Sequence, residues 1–186
     1  MTKYKLFIII ISVIIGAIMV IIPQPLKVRE YLTYNSYISE NGYVHLIDNK
    51  DAINPSYNQL IDFLKYDKTD KLEYIPYKFV CAEFAETLHN NAEKYGYRCA
   101  WVYIDLGEDS QGHACNAFET TDKGIIYIDT SNSRSTECDD DMTVDIVIGR
   151  EYRPYRLFWC DNYTLRYSNI GIISNYKIYW SGTELK

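Results

Sequence analysis

The sequence lacks several signals that would place it in a common class. It has no run of basic residues and carries a formal net charge of −6, which argues against nucleic acid as a partner. None of its five cysteines forms a C-x-x-C pair, so neither a zinc ribbon nor a thioredoxin motif is expected. Only three histidines are present. With 47% hydrophobic residues, the 186-residue chain can nevertheless build one domain with a core.

One long stretch carries no charge: LFIIIISVIIGAIMVII, residues 6–22. At about 1.5 Å per residue, a helix of this length just spans a bilayer core. No A-x-A-like cleavage site follows it, which favours an uncleaved signal anchor over a signal peptide. Lys3 and Lys5, in the short tail 1–5, favour an N-inside orientation. We therefore expect a single-pass protein of the cell membrane, bound to the lipid bilayer through residues 6–22, with its domain outside.

The rest of the chain divides into a connector and a domain. Residues 23–51 are interpreted as a juxtamembrane connector, with NSYISENGY as turn and loop and one short strand at Tyr43–Ile47. Residues 52–186 are interpreted as the domain, with a core at 54–132 and a C-terminal strand extension at 143–186.

Two helices are predicted at the start of this domain. The first begins with Asn54 as N-cap and Pro55 as first helical residue, and ends at DKTD. Its apolar face is formed by Tyr57, Leu60, Ile61 and Leu64. The second runs from about Val80 to Tyr95, with Gly96 as its C-terminal cap. Its apolar stripe is formed by Cys81, Phe84, Ala85, Leu88 and Ala92.

Strand-like runs follow the helices. YRCAWVYIDL, HACNAFET and GIIYIDT are predicted strands, and TTDKG between the last two is typical of a hairpin turn. TECDDDM reads as a loop, and TVDIVIGREY, RLFWCDNYTLRYS and IGIISNYKIYW are predicted as further strands. Helices followed by an antiparallel meander indicate an α+β fold.

Cys81 is the candidate nucleophile because a helix N-terminus favours the thiolate. Thiol chemistry also needs a base and a group that orients the base. His89 lies two turns along the same helix, about 12 Å away, and His45 lies in the connector, which leaves His113. If the hairpin turn centres on Thr121, Asp129 faces His113 on the neighbouring strand.

Three segments carry a family resemblance: FVCAEFAETLHNNAEKYGYRCAWVYI, GHACNAFET and GIIYIDTS. They resemble the transglutaminase-like core domain, which presents a Cys on a helix, then a His and an Asp on neighbouring strands. The residues at those motif positions are Cys81, His113 and Asp129. The resemblance covers about Asn54 to Asn132 and implies a papain-like α+β fold, thiol chemistry on amides of peptide or protein substrates, and no cofactor. With a signal anchor, the chain resembles transglutaminase-like membrane proteins common in archaea.

Several alternatives remain open at this level. The same fold could serve as a non-catalytic, membrane-tethered peptide-binding module, or the chain could be a structural surface protein stabilised by disulfides. Cys99 could bridge Cys115, and Cys138 could bridge Cys160. Besides the backbone N–H of Cys81, Tyr74 or Tyr77 could supply an oxyanion donor. The acidic run at 139–141 is interpreted as a solvated turn rather than a metal site, because its consecutive aspartates lack the spacing of calcium loops.

Overall fold

A computed structural model describes residues 32–39, 42–107, 112–131, 141–157 and 170–185. Their elements follow in chain order: β1 Leu32–Ser39, β2 Gly42–Asn49, α1 Tyr57–Tyr66, α2 Cys81–Tyr95, β3 Ala100–Asp105, β4 His113–Thr120, β5 Gly124–Asp129, β6 Met142–Thr143, β7 Tyr155–Arg156 and β8 Asn175–Tyr179. Short 3-10 turns lie at Thr69–Lys71 and Gly182–Leu185. The predicted α+β class is confirmed. Within these ranges no helix is long and apolar enough to cross a membrane, and the predicted anchor at 6–22 lies outside them.

The main sheet has the strand order β7-β6-β5-β4-β3-β8, and all its neighbours are antiparallel. The predicted meander is therefore confirmed for the central strands. The hairpin turn in TTDKG is also confirmed, at Thr121–Lys123. The last strand, β8, returns to pair with β3 at the other edge of the sheet.

Helix α2 packs across one face of this sheet. On that face, Trp101 Nε1 donates to the carbonyl of Ala82 at 3.3 Å, and Asn116 Nδ2 donates to the carbonyl of Ala85 at 2.8 Å. Because side chains alternate along a strand, the intervening residues point to the opposite face and build a second core. That core contains Ala100, Val102, Ile104, Leu106, Cys115, Ala117, Val144, Tyr152 and Ile173. The N-terminal turn of α2 is thus fixed against β3 and β4.

The second predicted helix is confirmed at both ends. It starts at Cys81, one residue after the predicted boundary, and Gly96 caps its end with a φ of 102° that suits glycine. In the predicted stripe, Phe84, Ala85, Leu88 and Ala92 are buried, and Cys81 is partly buried. At the other end, the Glu83 carboxylate accepts the N–H of Val80 at 2.8 Å, which satisfies a donor that the helix leaves open.

The start of α1 differs from the prediction. Ser56, not Asn54, is the N-cap: its hydroxyl accepts the N–H of Gln59 at 3.3 Å, and Gln59 Oε1 accepts the N–H of Ser56 at 2.8 Å. This reciprocal capping box satisfies two donors at once, which a cap at Asn54 would not. Asn54 instead donates to Glu119 on β4 at 3.0 Å. The buried face consists of Leu60, Phe63 and Leu64, so Phe63 takes the core position expected for Ile61.

Part of the predicted connector forms a β-hairpin. NSYISENGY was expected to be turn and loop, but most of it belongs to β1 and β2, which pair along their full length. The strand expected at Tyr43–Ile47 lies within β2 and packs on α2 through Val44 and Leu46. Asn90 of α2 extends this contact, since its amide accepts the N–H of Ile47 at 2.8 Å and donates to the carbonyl of His45 at 2.9 Å.

The C-terminal strands are shorter than predicted. TVDIVIGREY contributes only its first residue to β6, and residues 144–150 form a loop that turns at Gly149, φ 85°. Val144 N–H still donates to Tyr127 of β5 at 3.3 Å, but the later donors turn to a neighbouring segment. Gly149 N–H donates to the carbonyl of Ile173 at 2.7 Å, and Tyr152 N–H, just after the loop, to that of Gly171 at 2.9 Å. Most of RLFWCDNYTLRYS lies outside the described residues, whereas IGIISNYKIYW contains β8.

Replacing the α1 cap tests the corrected helix start. We expect Ser56→Ala to lower the free energy of unfolding by about 1 kcal/mol, because the Gln59 N–H loses its acceptor. Ser56→Gly should cost only a few tenths of a kcal/mol, since glycine is tolerated at N-caps. Urea unfolding of both variants measures these two changes in unfolding free energy. Equal stability of Ser56→Ala and the wild type would contradict the assignment.

Candidate active site

Cys81 is the first residue of α2 and is only partly buried. Its side chain packs at the rim of a core cluster that includes Ala82, Ala85, Trp101 and Ala114. A residue at this position lies at the positive end of the helix dipole, and its backbone N–H has no carbonyl partner within the helix. The position therefore leaves one backbone donor at the N-terminal end of the helix, directed away from it.

His113 and Asp129 are in direct contact, although not in the predicted register. Thr120 pairs with Gly124 and Asn116 with Ile128, so the hairpin centres on residue 122 rather than on Thr121. Continuing this register puts Cys115, not His113, opposite Asp129. Moving the centre of the hairpin by one residue moves the pairing partner of Asp129 by two residues and keeps it on the same face of the sheet. His113 therefore becomes the diagonal neighbour of Asp129. His113 Nε2 lies 2.8 Å from Asp129 Oδ2.

Cys81 completes the arrangement. Its side chain lies close enough to His113, across the interface between α2 and the sheet, for hydrogen bonding and charge to raise the pKa of the imidazole. Since Asp129 engages Nε2 of the ring, Nδ1 is the nitrogen left for the thiol. The structure therefore brings together all three candidate residues predicted from the sequence. They meet at the open end of the β4–β5 hairpin, where β4 begins and β5 ends.

The environment favours charged forms of both His113 and Asp129. Burial by itself would lower the pKa of His113, but the charge and hydrogen bond of Asp129, with the Cys81 side chain, raise it to about 10. Burial would likewise raise the pKa of Asp129, but His113, Ser131 and Tyr152 lower it to about 2. The His113 charge therefore stabilises the fold fully below pH 6.5, and this is lost as pH rises through about 10. The Asp129 charge stabilises it above pH 3.8, and this is lost as pH falls through about 2.

Two further residues, which the sequence analysis missed, hold Asp129 in place. Tyr152 is buried, and its hydroxyl donates to Asp129 Oδ2 at 2.7 Å while its ring meets the His113 ring edge-on, with centroids 4.8 Å apart. Ser131 donates to Asp129 Oδ1 from its backbone N–H at 2.9 Å and from its hydroxyl at 2.7 Å. The D-T-S spacing is an Asx-turn signal that could have identified Ser131. The sequence around Tyr152 carries no motif that could have identified it.

The other candidate cysteines that the structure describes form no disulfide. Cys99 and Cys115 are free and buried, and they lie on opposite faces of the sheet, so the bridge considered between them is wrong. Burial raises the pKa of both thiols well above the ordinary value. His89 is fully buried on α2, with Nε2 3.6 Å from Asp48 Oδ1. Cys138, Cys160 and most of the acidic run lie outside the described ranges. Across those ranges, no group of three His, Cys, Asp or Glu residues could hold a metal ion.

Comparisons with known proteins give no match: none was found among protein-family models, curated proteins or solved structures. The geometry of the site therefore carries the functional argument.

The ion pair can be tested by titrating His113 directly. We expect its imidazole to remain protonated through pH 8 in the wild type, because the pKa is raised to about 10. In Asp129→Asn the pKa should fall, since burial remains while the charge and hydrogen bond of Asp129 are gone. Nitrogen-15 NMR of labelled histidine checks both values. A His113 pKa that is unchanged in the variant would contradict the assignment.

Removing the Tyr152 hydroxyl tests the support of Asp129. We expect Tyr152→Phe to cost about 1.5–3 kcal/mol of unfolding free energy, because a buried carboxylate loses a hydrogen bond while the ring stays in place. The pKa of Asp129 should also rise. Tyr155→Phe is the matched control, since Tyr155 is 44% exposed. Urea unfolding gives the comparison, and equal stability of the two variants would show that Tyr152 does not support the carboxylate.

Proposed function

We propose that this chain is a membrane-anchored thiol enzyme of transglutaminase-like type that acts on amide bonds of peptides or proteins. The observation that supports it best is the 2.8 Å contact of His113 with Asp129, with the Cys81 side chain close enough to raise the pKa of His113. A reactive thiol needs a base and a group that orients the base, and each of these is present at the site.

The proposed chemistry is acyl transfer. The Cys81 thiolate, paired with the His113 imidazolium, attacks the carbonyl carbon of the amide. The carbonyl oxygen takes the negative charge, and the open backbone N–H of Cys81 is one donor to it. The tetrahedral intermediate collapses, the carbon–nitrogen bond breaks and His113 protonates the leaving amine. The product is a thioester on Cys81.

A second nucleophile then attacks the thioester and frees the Cys81 thiol. With water, His113 takes a proton as the water attacks, and the product is a carboxylic acid; with an amine, it is a new amide. Hydrolysis is the favoured reading because water is always present. Asp129 holds Nε2 of His113 throughout and stabilises the imidazolium through a 2.8 Å contact. It acts by positioning His113, since it does not itself touch the substrate.

Two other readings are less consistent with the geometry. A non-catalytic peptide-binding module would tolerate a wide separation between Cys81 and His113, whereas the Cys81 side chain lies close enough to His113 to raise its pKa. A structural protein held by disulfides would have Cys81 bonded to another cysteine, whereas Cys81 is free. The papain-like topology, the family and the anchor at 6–22 are part of the proposal and rest on the sequence motifs.

The pH dependence of iodoacetamide labelling tests the proposed thiolate. We expect Cys81 to label rapidly at pH 6, where an ordinary thiol has well under about 1% thiolate. His113→Ala should slow this labelling at least about tenfold and restore a rise with pH, because the imidazolium that stabilises the thiolate is lost.

The controls are in the same chain. Cys99 and Cys115 are buried and should stay unlabelled in the folded protein, so mass spectrometry reads all three thiols in one sample. Slow labelling of Cys81 with an ordinary thiol profile, unchanged by His113→Ala, would overturn the proposed function.

A further inference from the structure

The segment that leads into Cys81 exposes a cluster of large apolar side chains. We call residues 72–79 the aromatic loop. Its exposed members are Leu72 at 42%, Tyr74 at 48%, Ile75 at 42% and Tyr77 at 81%. Isolated apolar residues on a surface are ordinary, but several within one short loop are typical of a binding surface.

The backbone of the aromatic loop is held rigidly. Ile75 and Phe79 pair across it, with N–H to carbonyl distances of 2.9 and 2.8 Å in the two directions. Within this pair, Lys78 N–H donates to the carbonyl of Ile75 at 3.0 Å, so Pro76 and Tyr77 are the central residues of a β-turn. Proline suits the first of these positions, and glycine suits the second when its φ is positive.

Tyr77 occupies the position where glycine is favoured. Its φ is 63°, and among the described residues it alone adopts a positive φ without being glycine. The ring gains little from packing within the chain, since 81% of the residue is exposed. A side chain that strains its backbone and packs so little makes no evident contribution to the fold. Strain of this kind is typical of positions where function requires the side chain.

The aromatic loop borders the candidate active site. The Tyr74 ring stacks on Phe84 with centroids 6.2 Å apart and planes at 19°, and Phe79 contacts the same ring at 4.7 Å. Phe84 lies one turn after Cys81 on α2. The pKa of Tyr74 is raised first by burial and second by the charge of Cys81, so Tyr74 lies near Cys81. A peptide held at Cys81 would therefore have this apolar surface beside it.

We propose that the aromatic loop binds an apolar side chain of the peptide whose amide lies at Cys81, with Tyr77 as its main contact. This inference rests on the proposed function, because the neighbouring Cys81 thiol is the reason to expect a peptide amide as the ligand. It names the substrate class: peptides with a bulky apolar residue close to the bond that reacts. Packing of that residue against Tyr77 would bury apolar surface that the free protein leaves exposed to water.

The test measures peptide binding without relying on thiol reactivity. The full chain carrying Cys81→Ala, in lipid nanodiscs, is titrated against two fluorescein-labelled glycine-rich peptides that differ only in a central phenylalanine or asparagine. We expect the phenylalanine peptide to bind about tenfold more tightly by fluorescence anisotropy, since one aromatic ring is buried. Adding Tyr77→Gly should bring the two affinities within about threefold of each other. Empty nanodiscs correct for partition into lipid.

Two controls separate binding from folding. Tyr77→Gly should raise the midpoint of thermal unfolding or leave it unchanged, because glycine relieves the strained φ. Tyr66→Ala removes another highly exposed tyrosine, 72% exposed at the end of α1, and should keep the preference for phenylalanine.

The outcomes distinguish this inference from the proposed function. Equal affinity of the two peptides for Cys81→Ala overturns the inference, whatever the reactivity of Cys81 in the wild type. A preference that survives Tyr77→Gly also overturns it. A preference lost in Tyr77→Gly, together with an unreactive Cys81 in the labelling experiment, supports the aromatic loop as a peptide-binding surface and overturns the thiol enzyme.

Discussion

The candidate site depends on one buried carboxylate. Asp129 is fully inaccessible to solvent, and a charge in that position is unfavourable unless hydrogen bonds and an opposite charge compensate it. Ser131 and Tyr152 donate to it, and His113 supplies the positive charge. These partners come from three parts of the chain: the start of β4, the turn after β5 and the segment before β7. The carboxylate therefore fixes the imidazole and, through Tyr152, joins the C-terminal segment to the site.

The position of Cys81 depends on a different set of contacts. Helix α2 is joined to the sheet by buried hydrogen bonds from Trp101 and Asn116, and to β2 by the amide of Asn90. The first two bonds end on backbone carbonyls near the N-terminus of the helix, and the third links a side chain in its second half to the backbone of β2. Because they lie apart along the helix, they restrict both sliding and rotation. The thiol is consequently presented to His113 by a rigid element, while the aromatic loop before it supplies the exposed surface.

The sequence predicted the parts of this arrangement that follow from local chemistry or periodicity. The helix from Cys81 to Gly96 has a clear apolar stripe and a glycine cap, and strand β4 has the predicted limits. The contact of His113 with Asp129 was predicted although the register was wrong, because an error of two residues preserves the face of a strand. Tyr152 could not be predicted, since its hydrogen bond joins residues 23 apart in the sequence and no periodicity links them. TVDIVIGREY was misread because its apolar, β-branched residues resemble those of a strand, although Val147 and Ile148 are exposed in the loop.

The separation of the site residues along the chain has a consequence for folding. Cys81, His113 and Asp129 meet only after α2 has docked and both strands of the β4–β5 hairpin have paired. In the unfolded chain each is an ordinary ionisable group, so the special reactivity expected of the thiol would belong to the completed tertiary structure. During refolding, helix content can appear before long-range contacts form. A reactive Cys81 would then act as a built-in reporter of the last stage of assembly, appearing after the circular dichroism of the helices has recovered.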